Sequence, residues 1–218
     1  MFRFINIYYG MSGTFKATTI KSEITKWQND HKPKKNNTTY LLDKSVDVMW
    51  SSIKPWKHYE DILGQKQDDL NYANLHLCRL QDYVYDENKH SVNYLLVERG
   101  VTDMLYYYYK NNKSVTPDES WIKSIVREED FICDQNHLYS PNKILLVQKD
   151  IDFIKEVILK EPTRAKEFPG GVQDYLDNQE HYIEFTRSHN NITSEIVIKD
   201  AEKYIEQDLG LVYNLNLK

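Results

Sequence analysis

Residues Phe4–Thr19 read FINIYYGMSGTFKATT. A short apolar run ends at Gly10, and Gly13, Lys16, Thr18 and Thr19 follow. The pattern predicts a strand, a tight turn and the start of a helix. The spacing Gly-x-x-Gly-x-x-Lys-x-Thr is that of a phosphate-binding loop. Glycines let the backbone curl so that several N–H groups point inward, and a helix N-terminus adds its positive dipole end. Lys16 is spaced to reach the outer phosphates of a nucleotide. The cradle candidates are Gly10, Ser12, Gly13, Thr14, Phe15, Lys16, Ala17 and Thr18. Two positions depart from the usual loop. Phe15 stands where Gly is expected; it keeps a backbone N–H, so the cradle forms if its φ is tolerated. Ala17 stands where Ser or Thr is expected, which removes the hydroxyl that normally meets Mg²⁺. Thr18 follows one position late.

Outward from the loop, strand-like runs alternate with helical periodicity. Strands are predicted at Phe4–Tyr9, Thr38–Leu42, Val92–Val97, Lys143–Gln148 and Ile192–Ile198. Helices are predicted from Thr14 to about Gln28, from Ser45 to Ser52, from Asp69 to Tyr85 and from Thr102 to about Lys110. Thr116-Pro117-Asp118-Glu119 reads as a capped start of another, ending near Asp134. Further helices are predicted over Asp150–Leu159, Val172–Arg187 and Ala201 to about Asp208. The segment from Lys160 to Gly171 reads as a mobile loop. This alternation is the signature of an α/β fold: a five-stranded, mainly parallel sheet covered by helices on both faces. In such sheets ligands bind at the carboxyl ends of the strands.

The 218 residues suit a single domain over 1–218, with a lid at 160–171. The net charge of −5 argues against a general nucleic-acid coat protein, because no basic excess is available to neutralise phosphates. Cys78 and Cys133 have no Cys-x-x-Cys partner, so neither a zinc site nor a disulfide scaffold is expected. With no signal peptide and no membrane span in view, a cytoplasmic location is expected.

The remaining candidates fall on the predicted carboxyl edge. Glu98-Arg99 ends the third strand. Glu98 suits a metal held through water, and Arg99 suits a clamp on a phosphate or the attacking hydroxyl. Asp43 ends the second strand and reads equally as a proton acceptor or a helix cap. Arg164, in the loop flanked by Pro162 and Pro169, suits a lid that closes over phosphates. Trp50 and Trp56 can stack on a base, although core packing is the simpler role for any one aromatic. Glu128, Glu129 and Asp130 read as a solvated helix face.

These residues together resemble the P-loop nucleoside and nucleotide kinases, above all the deoxynucleoside kinase and thymidylate kinase group. The carriers are GMSGTFKATT, LLD, LLVERG, EPTRAKEF, NLHLCRLQDY and DYLDNQEHYIEF. The resemblance implies a three-layer P-loop NTPase fold, with ATP and Mg²⁺ as cofactors. The acceptor it implies is a nucleoside or nucleotide: a deoxynucleoside or its monophosphate. It implies donor-phosphate binding by Lys16, Mg²⁺ binding by Glu98 and an acceptor-side role for Arg99. It also implies Asp43 as base, Arg164 as lid cation, and Arg79 and Gln81 near the nucleobase, for which Trp50 is the aromatic candidate from the residues themselves. Gly100 replaces the Ser or Tyr typical after the Arg. Two alternatives stand beside this reading. One is a phage-encoded kinase for a hydroxyl on a modified base in DNA, working in host cytoplasm with a basic groove at Lys32, Lys34 and Lys35. The other is a nucleotide-binding module without turnover. The candidate assembly is a homodimer.

Overall fold

Five short apolar segments pair in parallel. They are β1 (Phe4–Tyr9), β2 (Val48–Ser51), β3 (Tyr94–Glu98), β4 (Asn142–Val147) and β5 (Ile196–Asp200). The computed structural model describes residues 4–11, 13–31, 48–51, 73–78, 80–81, 94–134, 142–160, 162–190 and 196–204. The strand order is β2-β3-β1-β4-β5. β1 therefore lies between β3 and β4, with Tyr8 opposite both Glu98 and Ile144. The chain runs from β1 to β2 and β3 on one side and then crosses to β4 and β5 on the other, so the carboxyl end of β1 is a topological switch point.

The helices are α1 (Lys16–His31), α2 (Val101–Asn111), α3 (Glu119–Asp134), α4 (Ile151–Lys160), α5 (Pro162–Glu167), α6 (Gly171–Asn190) and α7 (Ala201–Lys203). Residues 73–78 and 80–81 are also helical. Side chains alternate across a strand, and β1 shows the consequence. Ile5, Ile7 and Tyr9 join Leu95, Val97, Leu145 and Val147 beneath α2, α3 and α6. Tyr8 turns the other way and joins Leu96, Ile144 and Leu146 against Ile20 and Ile24 of α1 and Ala201 of α7. Strands buried on both faces read as unbroken apolar runs. The result is three layers, and each fully buried Ile or Leu contributes about 1.5–3 kcal/mol.

Four of the five expected strands lie where the sequence places them, to within a few residues. The second differs. Val48–Ser51, expected inside a helix, is the strand that pairs with β3, with Trp50 opposite Leu96. A run this short has no decisive periodicity, and pairing with a buried neighbour decides its conformation. Thr38–Leu42 and Asp43 lie outside the described residues. The expected mobile loop is also corrected. Pro162 suits the first turn of a helix, and α5 follows α4 almost at once. Phe168, just beyond, is buried against Tyr175 with ring centroids 5.0 Å apart. α3 begins later than Thr116, because Asp118 Oδ1 accepts the Ser120 and Trp121 amides and sets the cap there.

Candidate active site

The loop after β1 is built by its departures as much as by its glycines. Gly10 has φ +151°, and a Cβ there would sit 2.3 Å from Thr14 Oγ1 and 2.8 Å from the Leu146 carbonyl. Only glycine fits. Gly13 has φ +90° and Phe15 φ +56°. Phe15 thus adopts the left-handed conformation that the position demands, without glycine's freedom; such a residue carries strain of about 1–3 kcal/mol. Its ring packs on Phe153 of α4, centroids 4.5 Å apart. Thr14 closes the turn through its amide and hydroxyl, both donated to the Met11 carbonyl. Ser12 lies outside the described residues.

Lys16, the first residue of α1, is buried beneath this loop. Its ammonium donates to the carbonyls of Gly10 and Met11, the latter at 2.8 Å. Burial, then the Arg99 guanidinium, pulls its pKa down to about 7, while Asp103 and Glu98 oppose the fall. Arg99 has φ +76° and donates its amide to the Tyr8 carbonyl at 2.9 Å. This kinked turn aims its side chain back across the sheet edge, where the guanidinium lies 5.8 Å from the Tyr107 ring centroid.

A cavity of about 290 Å³ opens at this edge. It is lined by Gly13, Phe15, Lys16, Ala17 and Thr18 from the loop and α1, and by Glu98 and Arg99 after β3. Phe153 and Val157 of α4 and Arg164 of α5 complete it. Lys16, Glu98, Arg99 and Arg164, far apart in sequence, therefore share one cavity. Arg164 is also paired with Glu167 at 2.7 Å. Glu98 Oε2 is buried with no hydrogen-bond partner among the described residues. A buried carboxylate oxygen left without a donor is the right chemistry for a cation or its water.

Trp50 is on the sheet-edge strand β2. Gln81 is exposed and does not line the cavity. Arg79 and Trp56 lie outside the described residues.

Two carboxylates that sequence reasoning missed hold the two turns together. Asp103, fully buried on α2, accepts from Gly10 N–H at 3.3 Å, Gly100 N–H at 3.1 Å and Tyr182 O–H at 2.5 Å. Gly10 N–H also donates to Tyr182 Oη at 2.8 Å. Burial pushes the Asp103 carboxyl up, against the pull of Lys16 and Arg99. Glu129 accepts from Val101 N–H at 3.0 Å and Tyr9 O–H at 3.2 Å, and pairs with His76 at 2.7 Å. Burial alone would raise Glu129; the His76 hydrogen bond, with Lys143 and the Val101 amide, outweighs it and lowers its pKa. Glu129 and Asp130 are therefore no solvated face: both are buried, and Asp130 pairs with buried Lys143 at 2.6 Å. Only Glu128 of the three is exposed. Asp103 left one trace in the sequence, as an acid three residues after Gly100 at a helix start, the place from which a carboxylate reaches back to the N-cap amide. Glu129 left none, because its partners come from three distant segments.

Gly100 is explained by volume. A Cβ there would lie 2.2 Å from a Tyr9 ring carbon. The Tyr9 ring fills the space that a larger residue after Arg99 would occupy.

No family model matches the chain, and no curated protein matches it. Among solved structures, a thymidylate kinase from Ehrlichia chaffeensis superposes with a TM-score of 0.52. The match covers 96% of this chain and 97% of that one, at 10% identity. At that identity the likeness is one of fold, here a parallel sheet between helices.

Proposed function

We propose that this protein is an ATP- and Mg²⁺-dependent kinase. It transfers a γ-phosphoryl group to a deoxynucleoside or deoxynucleoside monophosphate, as one domain spanning 1–218 with a lid at 160–171. The observation that supports this reading is the cavity shared by Lys16, Glu98, Arg99 and Arg164 behind a phosphate-type loop. Phosphoryl transfer needs little covalent chemistry from the protein; it needs positioning and charge neutralisation. Lys16 and the backbone from Gly10 to Thr18 bind the donor phosphates. Arg99 orients the acceptor, and Arg164 covers the transferring group from α5. Asp43 accepts the acceptor's proton, and Trp50, Arg79 and Gln81 meet its base.

Among the described residues no three His, Cys, Asp or Glu side chains converge on a point. A Mg²⁺ here is held by Glu98, directly or through water, together with the nucleotide phosphates, since Ala17 offers no hydroxyl. When bound it neutralises charge on the phosphoryl oxygens. No helix among the described residues is long and apolar enough to cross a membrane; the expected compartment is the cytoplasm.

A second reading, a nucleotide-binding module without turnover, is favoured by Ala17 and by the hold of the loop carbonyls on Lys16. Radiolabelled ATP separates the two, offered with deoxynucleosides, their monophosphates and DNA as acceptors. The kinase reading expects transfer to a nucleoside or monophosphate. ATP binding with no transfer to any acceptor sinks it, and transfer confined to DNA replaces its acceptor.

A further inference from the structure

Lys16 and Arg99 are two cations set into a largely buried edge. The field they create needs an answer from the protein itself, because unpaired buried charge is strongly unfavourable. Glu98 answers in part, at the cavity wall. Asp103 answers from beneath. It is fully buried, it lies within electrostatic reach of both cations, and it does not line the cavity. Its oxygens bridge the first amide of the phosphate loop and the amide that follows Arg99. Tyr182, from α6, donates to the same carboxylate and receives the same Gly10 amide.

Glu129 provides the contrast. It pins the neighbouring residues of the same two turns, Tyr9 and Val101, yet its charged partners are His76 and Lys143. One carboxylate therefore serves the scaffold, while the other serves scaffold and charge at once.

We propose that Asp103 is the resident counter-ion and positioning residue of this site: it balances Lys16 and Arg99 from beneath the cavity and fixes both against the phosphate loop. This deepens, and rests on, the reading of the cavity as a phosphoryl-transfer site. An entering polyphosphate competes with Asp103 for the two cations. Removing the Asp103 charge thus favours anion binding, while it loosens the geometry in which Arg99 must act. Affinity and turnover move in opposite directions, which loss of structure alone does not produce.

The test compares wild type with Asp103→Asn and Glu129→Gln. Binding of ATP and of inorganic tripolyphosphate is followed by calorimetry, transfer from labelled ATP by kcat and KM, and folding by thermal melting. Asp103→Asn is expected to bind tripolyphosphate about tenfold more tightly, the order of one charge at close range. Its kcat is expected to fall about a hundredfold with no rise in KM for ATP. Glu129→Gln is expected to melt earlier with tripolyphosphate affinity unchanged. Weaker binding by Asp103→Asn, or equal behaviour of the two variants, overturns the assignment. If wild type transfers to no acceptor, the kinase reading fails on its own, and the tripolyphosphate comparison still decides the counter-ion. Should Asp103→Asn fail to fold, Lys16→Met is added to it. A recovered cooperative melt supports the pairing of the two charges, and no recovery overturns it.

Discussion

The packed faces of the sheet and its carboxyl edge handle buried polar groups in opposite ways. On the packed faces they pair with one another. On one face Lys143 meets Asp130. On the other Glu23 accepts from Tyr8, Tyr204 and Asn6, and Asn142 donates to Asn6. At the carboxyl edge satisfaction is incomplete. Glu98 Oε2 has no partner among the described residues, Lys16 is held by carbonyls, and Phe15 and Arg99 take positive φ. Strain and unmatched charge persist only where surrounding structure enforces them, and they gather at functional sites. The packed faces hold the layers together, while at the carboxyl edge the positive φ values and the partnerless Glu98 oxygen coincide with the cavity.

The largest effect that tests this contrast is at Lys16. Lys16→Met is expected to reduce transfer from ATP about a thousandfold or more, the scale of a cation on a transferring phosphoryl group. It also tests the burial of that charge. The folded pKa of Lys16, about 7, lies below the ordinary 10.5. The unfolded chain therefore binds the extra proton between these values, and wild type gains stability from this group as pH rises through that window. Melting temperatures of wild type relative to Lys16→Met should climb from pH 7 toward pH 10. A flat difference would place the ammonium in solvent.

Next is Glu129→Gln, which breaks a buried pair with His76 and weakens the acceptors for Val101 and Tyr9. A loss of about 3 kcal/mol in denaturant unfolding is expected, with ATP affinity preserved. Weakened ATP binding would extend the functional edge deeper into the core than the contrast allows.

On the packed face under α1, Glu23→Gln is expected to change stability by about 1 kcal/mol at neutral pH and leave transfer untouched. Burial raises the Glu23 carboxyl above its ordinary value. Its contribution is therefore full below the unfolded pKa and lost as pH rises through the folded one. The variant, lacking the charge, should improve relative to wild type from pH 4 to pH 7, as followed by urea titration. Lost transfer would erase the distinction between packed face and carboxyl edge.

The smallest effect is chemical. Cys133 is buried and its thiol pushed well up by burial, whereas Cys78 is exposed. Iodoacetamide should label Cys78 alone in the native protein. Equal labelling of both would show the face under α3 to be open.

Much of this was legible in sequence, for reasons that differ by element. β1, β3 and β4 are buried on both faces, so their apolar runs stand out. The loop after β1 and Glu98-Arg99 follow from spacing at the ends of such runs, and Arg164 from a cationic segment flanked by Pro162 and Pro169; Lys16, Glu98, Arg99 and Arg164 line one cavity. β2 was hidden because Thr38–Leu42 carries the stronger β-forming composition, whereas Val48–Ser51 is selected by its neighbour β3. The helix α5 was hidden by Pro162, which reads as a breaker and serves as a starter. Asp103, Tyr182 and Glu129 matter through contacts 28 to 172 residues away, apart from the Asp103–Gly100 cap. No local pattern encodes such contacts.

The Tyr9 ring over Gly100 carries a consequence for sequence change. Positions 9 and 100 draw on one shared volume, so neither can be altered freely without the other. A lineage that acquires a side chain at 100 must first, or at once, shrink residue 9, and the Glu129 oxygen that Tyr9 now meets must then find water or another donor. The two sites should evolve as a pair, and Gly100→Ser should be tolerated only in a background such as Tyr9→Ala.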